Sequence, residues 1–141
     1  MTNLTHKAQQ VFADDRYATA LTGASVDLVE PGRACCSLTV QPFHRNAMGG
    51  VMGGVLFTLA DLAFAAGANA GLLDEGMSLG WVSLGSEIHY LAQPKGSRLL
   101  AEAQCVRQGH TSCVYTINIH DELSNPVALV TTTGMKSNRT L

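Results

Sequence analysis

Hydrophobic positions along this chain follow two patterns. Over residues 55–70 they cover nearly every helical face, in an Ala- and Leu-rich stretch without proline that is long enough for about four turns. Such a helix is expected to be buried rather than amphipathic at a surface. Elsewhere the pattern alternates. Ala24, Val26 and Leu28 alternate with Ser25, Asp27 and Val29 within a strand expected over 20–30. Pro31-Gly32 then suits a type II turn into a partner strand at 34–40. Further strands are expected at 79–91, 98–108, 112–121 and 127–135, separated by Pro94-Lys-Gly-Ser97, Gly109 and Asn125-Pro126. Residues 5–14 read as a short amphipathic helix with Leu4, Ala8, Val11 and Phe12 on one side, and 42–50 as a loop. Gly71 is the expected C-cap of the long helix.

The order is therefore helix, two strands, long helix, four strands. It predicts an α+β fold in one domain, 1–141, with residues 1–18 as a helical extension. A long buried central helix would be wrapped by a curved antiparallel sheet of about five to six strands, joined as a meander.

One residue interrupts the apolar run. Asp61 is its only charged side chain, and burying an unpaired carboxylate costs several kcal/mol unless it has a partner, a proton or a task. Hydrogen bonding to a neighbouring backbone would answer that as well as catalysis does. Gly53-Gly54, at the start of the run, favours chemistry. Bare α-carbons let a ligand approach first-turn amides that carry the positive end of the helix dipole. Such amides polarise a carbonyl or hold an oxyanion.

Composition narrows the rest. The chain has 141 residues, 46% hydrophobic and only 14% charged, a balance that points to an oligomer whose interface continues the core. A net charge of −2 with no basic run disfavours nucleic acid and anionic membranes as partners. No stretch reads as a signal peptide or a membrane span, so a cytoplasmic location is expected. Cys35, Cys36, Cys105 and Cys113 form no C-x-x-C pair and are expected as reduced thiols. The five histidines are scattered, and neither a metal nor a cofactor is expected.

The segment Asn46-Ala-Met-Gly-Gly-Val-Met52-Gly53-Gly54-Val-Leu-Phe-Thr58-Leu-Ala-Asp61 resembles the hotdog-fold acyl-CoA thioesterases, in particular the phenylacetate-degradation (PaaI-type) branch. That pattern is an Asn, a His-Gly-Gly six residues later, and Leu-Ala-Asp within the helix. The likeness runs from about residue 26 to 135, and Tyr90-Leu-Ala-Gln-Pro94 is similar to the family's strand end with Phe and Pro. The resemblance implies that Asp61 is the catalytic carboxylate and that the Gly54 amide polarises the thioester oxygen, with Gly53 as its companion. Asn46 would orient water or substrate. Met52 stands where the family commonly has His, and it would line the acyl site with Thr58 and Trp81. His44 is the nearest histidine, expected as an exposed loop residue. Thr58 and Asn69 are polar neighbours on the helix without a family role.

The same resemblance implies a site at a dimer interface, with a dimer of dimers as the larger assembly. The substrate would be an acyl-CoA, its phosphates met by some of Arg33, Lys95, Arg98, Arg107, Lys136 and Arg139. Hydrolysis needs an activated water, a polarised carbonyl and a thiolate leaving group. One carboxylate and one helix N-terminus therefore suffice, with Asp61 as general base or as nucleophile. The rival reading is a non-catalytic acyl-CoA-binding or sensing protein of the same fold. The hydratases of this fold use a His with an acid, and Met52 argues against them.

Overall fold

Helix α2 (Gly53–Asp74) is the axis of the molecule, and the sheet is built against it. The computed structural model describes residues 2–137, so Arg139 lies outside the described residues. Helix α1 (Asn3–Phe12) and a π-helical turn at Tyr17–Leu21 lead into β1 (Ser25–Glu30) and β2 (Arg33–Thr39). After α2 come β3 (Trp81–Tyr90), β4 (Arg98–Gln108), β5 (Ser112–Asp121) and β6 (Pro126–Lys136). All pairings are antiparallel, in the order β1-β2-β4-β5-β6-β3. This is a six-stranded sheet with a long helix on one face, as expected, but not a simple meander. Strand β3 pairs with β6 instead of β4, at the far edge.

The α2 backbone approaches the sheet at Gly67, where a Cβ would already touch Ala34 N and the Arg33 carbonyl carbon at 3.4 Å. Its carbonyl accepts from the Gly32 amide (3.3 Å) and the Tyr115 hydroxyl (3.4 Å). The Phe64 and Tyr115 rings meet edge to face, centroids 5.4 Å apart, in the core. By length and mean hydropathy (1.5 over its best window) α2 is apolar enough to cross a membrane, contrary to the expectation above, but most of it is covered by the sheet. It runs beyond the expected 55–70 at both ends, because Gly53 and Gly54 form the first turn and Gly76, at φ 74°, follows the last. Gly71 lies inside the helix rather than capping it.

The two edges of the sheet are treated differently. Strand β1 begins at Ser25, since residues 17–21 are helical, and a register shift between Val26 and Leu28 leaves Val26 and Val29 both facing the core. Side chains of α1 satisfy its outer backbone. Gln9 Nε2 donates to Val26 O at 2.8 Å, and Thr5 Oγ1 accepts from Val29 N at 3.0 Å. Strand β3 has no such cover among the described residues and shows solvent Val82, Leu84 and Tyr90. Open apolar edges invite pairing with another chain.

Buried Asn69 ties β3 to the helix. Its Nδ2 donates to Ala65 O (2.9 Å) and Trp81 O (3.1 Å), and its Oδ1 accepts from Gly80 N and Trp81 N, both at 2.9 Å. Asp121 ties the opposite corner. Burial would raise its pKa, but hydrogen bonds from the Asn125 backbone and side chain and the Gly96 and Lys95 amides outweigh that and hold its carboxyl well below the usual range.

Candidate active site

The loop before α2 is held from three sides. Asn46 Oδ1 accepts from Met48 N (3.0 Å) and Gly50 N (3.1 Å), while Asn46 N–H donates to Gly50 O at 2.8 Å. The carboxamide oxygen thus closes its own loop. Gln93 Oε1 accepts from Val51 N at 2.7 Å, and the Met52 amide donates to His44 O at 2.9 Å. His44 is buried, not exposed as expected from its loop position. Its Nδ1 accepts from Gln41 N (2.9 Å), so Nε2 carries the proton donated to Thr22 O (2.7 Å). Both nitrogens are occupied, and His44 serves as a structural pin.

This tethering delivers an N-terminus whose amides are free. Met52 is the N-cap residue but offers no acceptor, and its side chain is half exposed. Neither the Gly53 nor the Gly54 amide donates to an acceptor among the described residues, whereas Val55 N already bonds Met52 O at 3.0 Å. The two glycines differ. A Cβ on Gly53 would lie 2.8 Å from the Tyr90 hydroxyl, while one on Gly54 would meet nothing within 4 Å. Gly54 is the open face.

Asp61 corrects the expectation of a buried acid. Within one subunit it is exposed, on an α2 stripe with Gly54, Thr58 and Ala65 that the sheet does not cover. Thr58 Oγ1 is turned back onto Gly54 O at 2.8 Å. The carboxylate borders a recess of about 310 Å³ formed with Asp15, Tyr17, Phe57, Thr58 and Leu62. Although one side is open to solvent, burial in this recess raises the Asp61 pKa, and the charge of Asp15 adds to it. Asp15 is itself raised, by burial and then by Asp14. A larger, mostly apolar cavity of about 420 Å³ adjoins it through Asp15, walled by Phe12, Ala65, Leu79, Trp81 and Val82.

The expected site residues therefore form two groups. Asn46, Met52, Gly53 and Gly54 gather at the head of α2, and Thr58 and Asp61 lie further along, with Trp81 beyond. Gly54 and Asp61 are seven positions apart, roughly 10 Å along the axis. Asp15, Tyr90 and Gln93 join these groups from distant parts of the chain. Of the three, only the Tyr90–Pro94 segment carried any signal in the sequence.

A long helix on one face of a six-stranded antiparallel sheet is the hotdog fold, and its relatives make the chain a thioester hydrolase. The chain belongs to the thioesterase superfamily, whose sequence profile matches residues 48–128. Its likeness is to the PaaI type. The acyl-coenzyme A thioesterase PaaI of Escherichia coli is 33% identical over 131 residues, 89% of either chain. The structure of the E. coli PaaI protein from the phenylacetic acid degradation operon superposes with a TM-score of 0.82 at 28% identity, covering 98% of this chain and 99% of that one. A mutant of the phenylacetic acid degradation protein PaaI of Thermus thermophilus gives 0.73 at 28% identity, over 83% of this chain and 96% of that one.

Proposed function

We propose that this enzyme hydrolyses acyl-coenzyme A thioesters at a site shared by two copies of the chain. The observation that carries the shared site is the spacing on α2. A carboxylate and an amide about 10 Å apart on one helix do not both reach one thioester carbonyl. An antiparallel pairing of two α2 helices sets Asp61 of one protomer beside the Gly54 amide of its partner, twice by symmetry. The open apolar edge of β3 and the uncovered stripe of α2 supply the surface for such a pair. A dimer of these dimers is the larger assembly we infer, with the whole chain acting as one unit.

The carbonyl oxygen of the substrate accepts from the Gly54 amide, with Gly53 beside it. The Asp61 carboxylate takes a proton from water as the water oxygen bonds to the carbonyl carbon, and the C=O electron pair moves onto the oxyanion. Collapse re-forms the carbonyl, breaks the C–S bond and expels coenzyme A as a thiolate, which takes up the proton. Attack by the carboxylate itself, through a mixed anhydride, uses the same groups. Asn46 keeps the amides in place by closing the loop. The acyl chain enters the cavity beside Trp81 and Phe12, with Met52 and Thr58 along its approach. The nucleotide lies outside, its phosphates near some of Arg33, Lys95, Arg98, Arg107 and Lys136. Four free cysteines suit the reducing cytoplasm, where we place the enzyme.

Release of free thiol from acetyl-, hexanoyl-, palmitoyl- and phenylacetyl-CoA tests this reading. Asp61→Asn should lower kcat by about 10²–10⁴-fold with substrate binding retained. Turnover unchanged in that variant, or binding without turnover by the wild type, would reject it, the latter in favour of an acyl-CoA-binding protein.

A further inference from the structure

We propose that Tyr90 is a further catalytic residue of this site, its phenol O–H donating to the same carbonyl oxygen that the Gly53–Gly54 amides receive. The inference rests on the reading above and adds a group that it does not use. Tyr90 ends β3, far in sequence from the glycines, yet its ring lies across the first turn of α2. The hydroxyl oxygen is 2.8 Å and Cζ 2.9 Å from where a Cβ on Gly53 would be. Any side chain at position 53 would displace the ring, which accounts for that glycine without a ligand. Gly54, with open space beside it, remains the point of approach.

Three donors without acceptors lie near one another at the first turn of α2. The Tyr90 hydroxyl has no hydrogen-bond partner among the described residues, and neither do the two amides. Met52, immediately before them, brings no polar atom of its own to the spot. Donors left free side by side suit an oxygen that gains negative charge.

The backbone that carries the ring is also held in place. Tyr90 pairs with Ala128 of β6, and the Leu91 and Ala92 amides both donate to Val127 O, at 2.9 and 3.2 Å. Three residues on, Gln93 grips the loop at Val51 N and stands 2.9 Å from a Cβ position on Gly50. One short segment, 90–93, thus fixes both the ring and the loop whose amides it joins. Gln93 is a positioning residue in this arrangement. As attack on the carbonyl carbon moves the C=O pair onto oxygen, the phenol keeps its proton and shares it by hydrogen bond. When the intermediate collapses, that bond weakens and the thiolate leaves.

The test compares Tyr90→Phe, Tyr90→Leu, Asp61→Asn and wild type on hexanoyl- and phenylacetyl-CoA. Tyr90→Phe keeps the ring against Gly53 and should fold as wild type. It should lose about 100- to 1,000-fold in kcat with little change in KM, as removal of one oxyanion donor does. With carbonyl-13C-labelled hexanoyl-CoA bound to Asp61→Asn, adding Tyr90→Phe should move the carbonyl infrared band to higher wavenumber, because the bond is less polarised. Full activity in Tyr90→Phe, with loss only in Tyr90→Leu, would make Tyr90 a packing residue and overturn the proposal. If Asp61→Asn is inactive in the same assay, the thioesterase reading survives that result. If wild type shows no turnover on either substrate, both fall.

Discussion

Two inactive variants should restore each other if the site is shared. Asp61→Asn removes the acid, and Gly54→Val puts a branched side chain where the carbonyl must approach. Within the subunit Gly54 has nothing within 4 Å of its Cβ position, so the second change should leave the fold intact. In a two-fold dimer each site takes Asp61 from one protomer and Gly54 from the other. A heterodimer then carries one site with both defects and one with neither. Random pairing of equal amounts makes half the dimers heterodimers, so about a quarter of wild-type activity should return. The assay is co-expression with two different tags, purification through both, and thiol release from the acyl-CoA that the wild type prefers. The doubly tagged fraction should reach about half the wild-type rate per dimer as isolated dimers, and a little over a quarter as dimers of dimers, with KM unchanged. A doubly tagged heterodimer as inactive as its parents would refute the argument, and would mean that acid and amides serve one subunit despite their spacing.

Two other measurements probe how the halves are held and tuned. Asn69→Ala strips the three hydrogen bonds that join α2 to the start of β3 and leaves the buried Trp81 amide unpaired, which should cost about 2–4 kcal/mol; a thermal melt should fall by roughly 5–15 °C. The carboxylate is the working form of Asp61, and burial and Asp15 raise its pKa, so kcat/KM should fall on the acid side through a value above the ordinary carboxylate near 4. Asp15→Asn should move that limb to lower pH. The stability sign is opposite to that of a paired acid. Folding favours the protonated form, so this group's contribution is greatest at low pH and declines as pH rises through its folded pKa. Asp61→Asn should therefore not lower the neutral-pH melting temperature.

Much of this arrangement was legible in the residues, and what was not has physical causes. Strand β5 alternates along its whole length and β4 as far as the bulge at Cys105–Arg107, because one face packs on α2 and the other meets water. The partner of β3 leaves no such trace, since alternation records faces and not neighbours. The Val26–Leu28 shift reverses the expected alternation of β1 only beyond it, where Val29 is buried in place of Leu28. The head of α2 was placed two residues late because Gly has a poor propensity for helix interiors, a penalty that matters little in a first turn. The residues predict a buried Asp61 because the open stripe is made of Gly, Thr and Ala, residues as much at home in a core as against a partner. Asp15 comes from the turn after α1, and no local pattern announces that it meets an acid 46 positions away.

The two halves of the site depend on different supports. A Ser or Asp at the N-cap would stabilise α2 by about 1 kcal/mol, but its side chain would occupy a first-turn amide. Met52 forgoes that bond, and the Gly53 and Gly54 donors stay free for a ligand. The order that a cap would have given comes instead from outside the helix. Asn46 closes the loop on itself, His44 anchors it to the residue 22 carbonyl, and Gln93 anchors it to the segment after β3. None of these contacts uses an amide of the first turn. The acid half depends on the N-terminal segment, where Phe12 and Asp15 wall the larger cavity and Asp15 and Tyr17 the smaller. Carbonyl polarisation and acid strength are thus set by separate parts of the chain, and a change in residues 12–18 can alter the acyl pocket or the pKa of Asp61 without disturbing the amides.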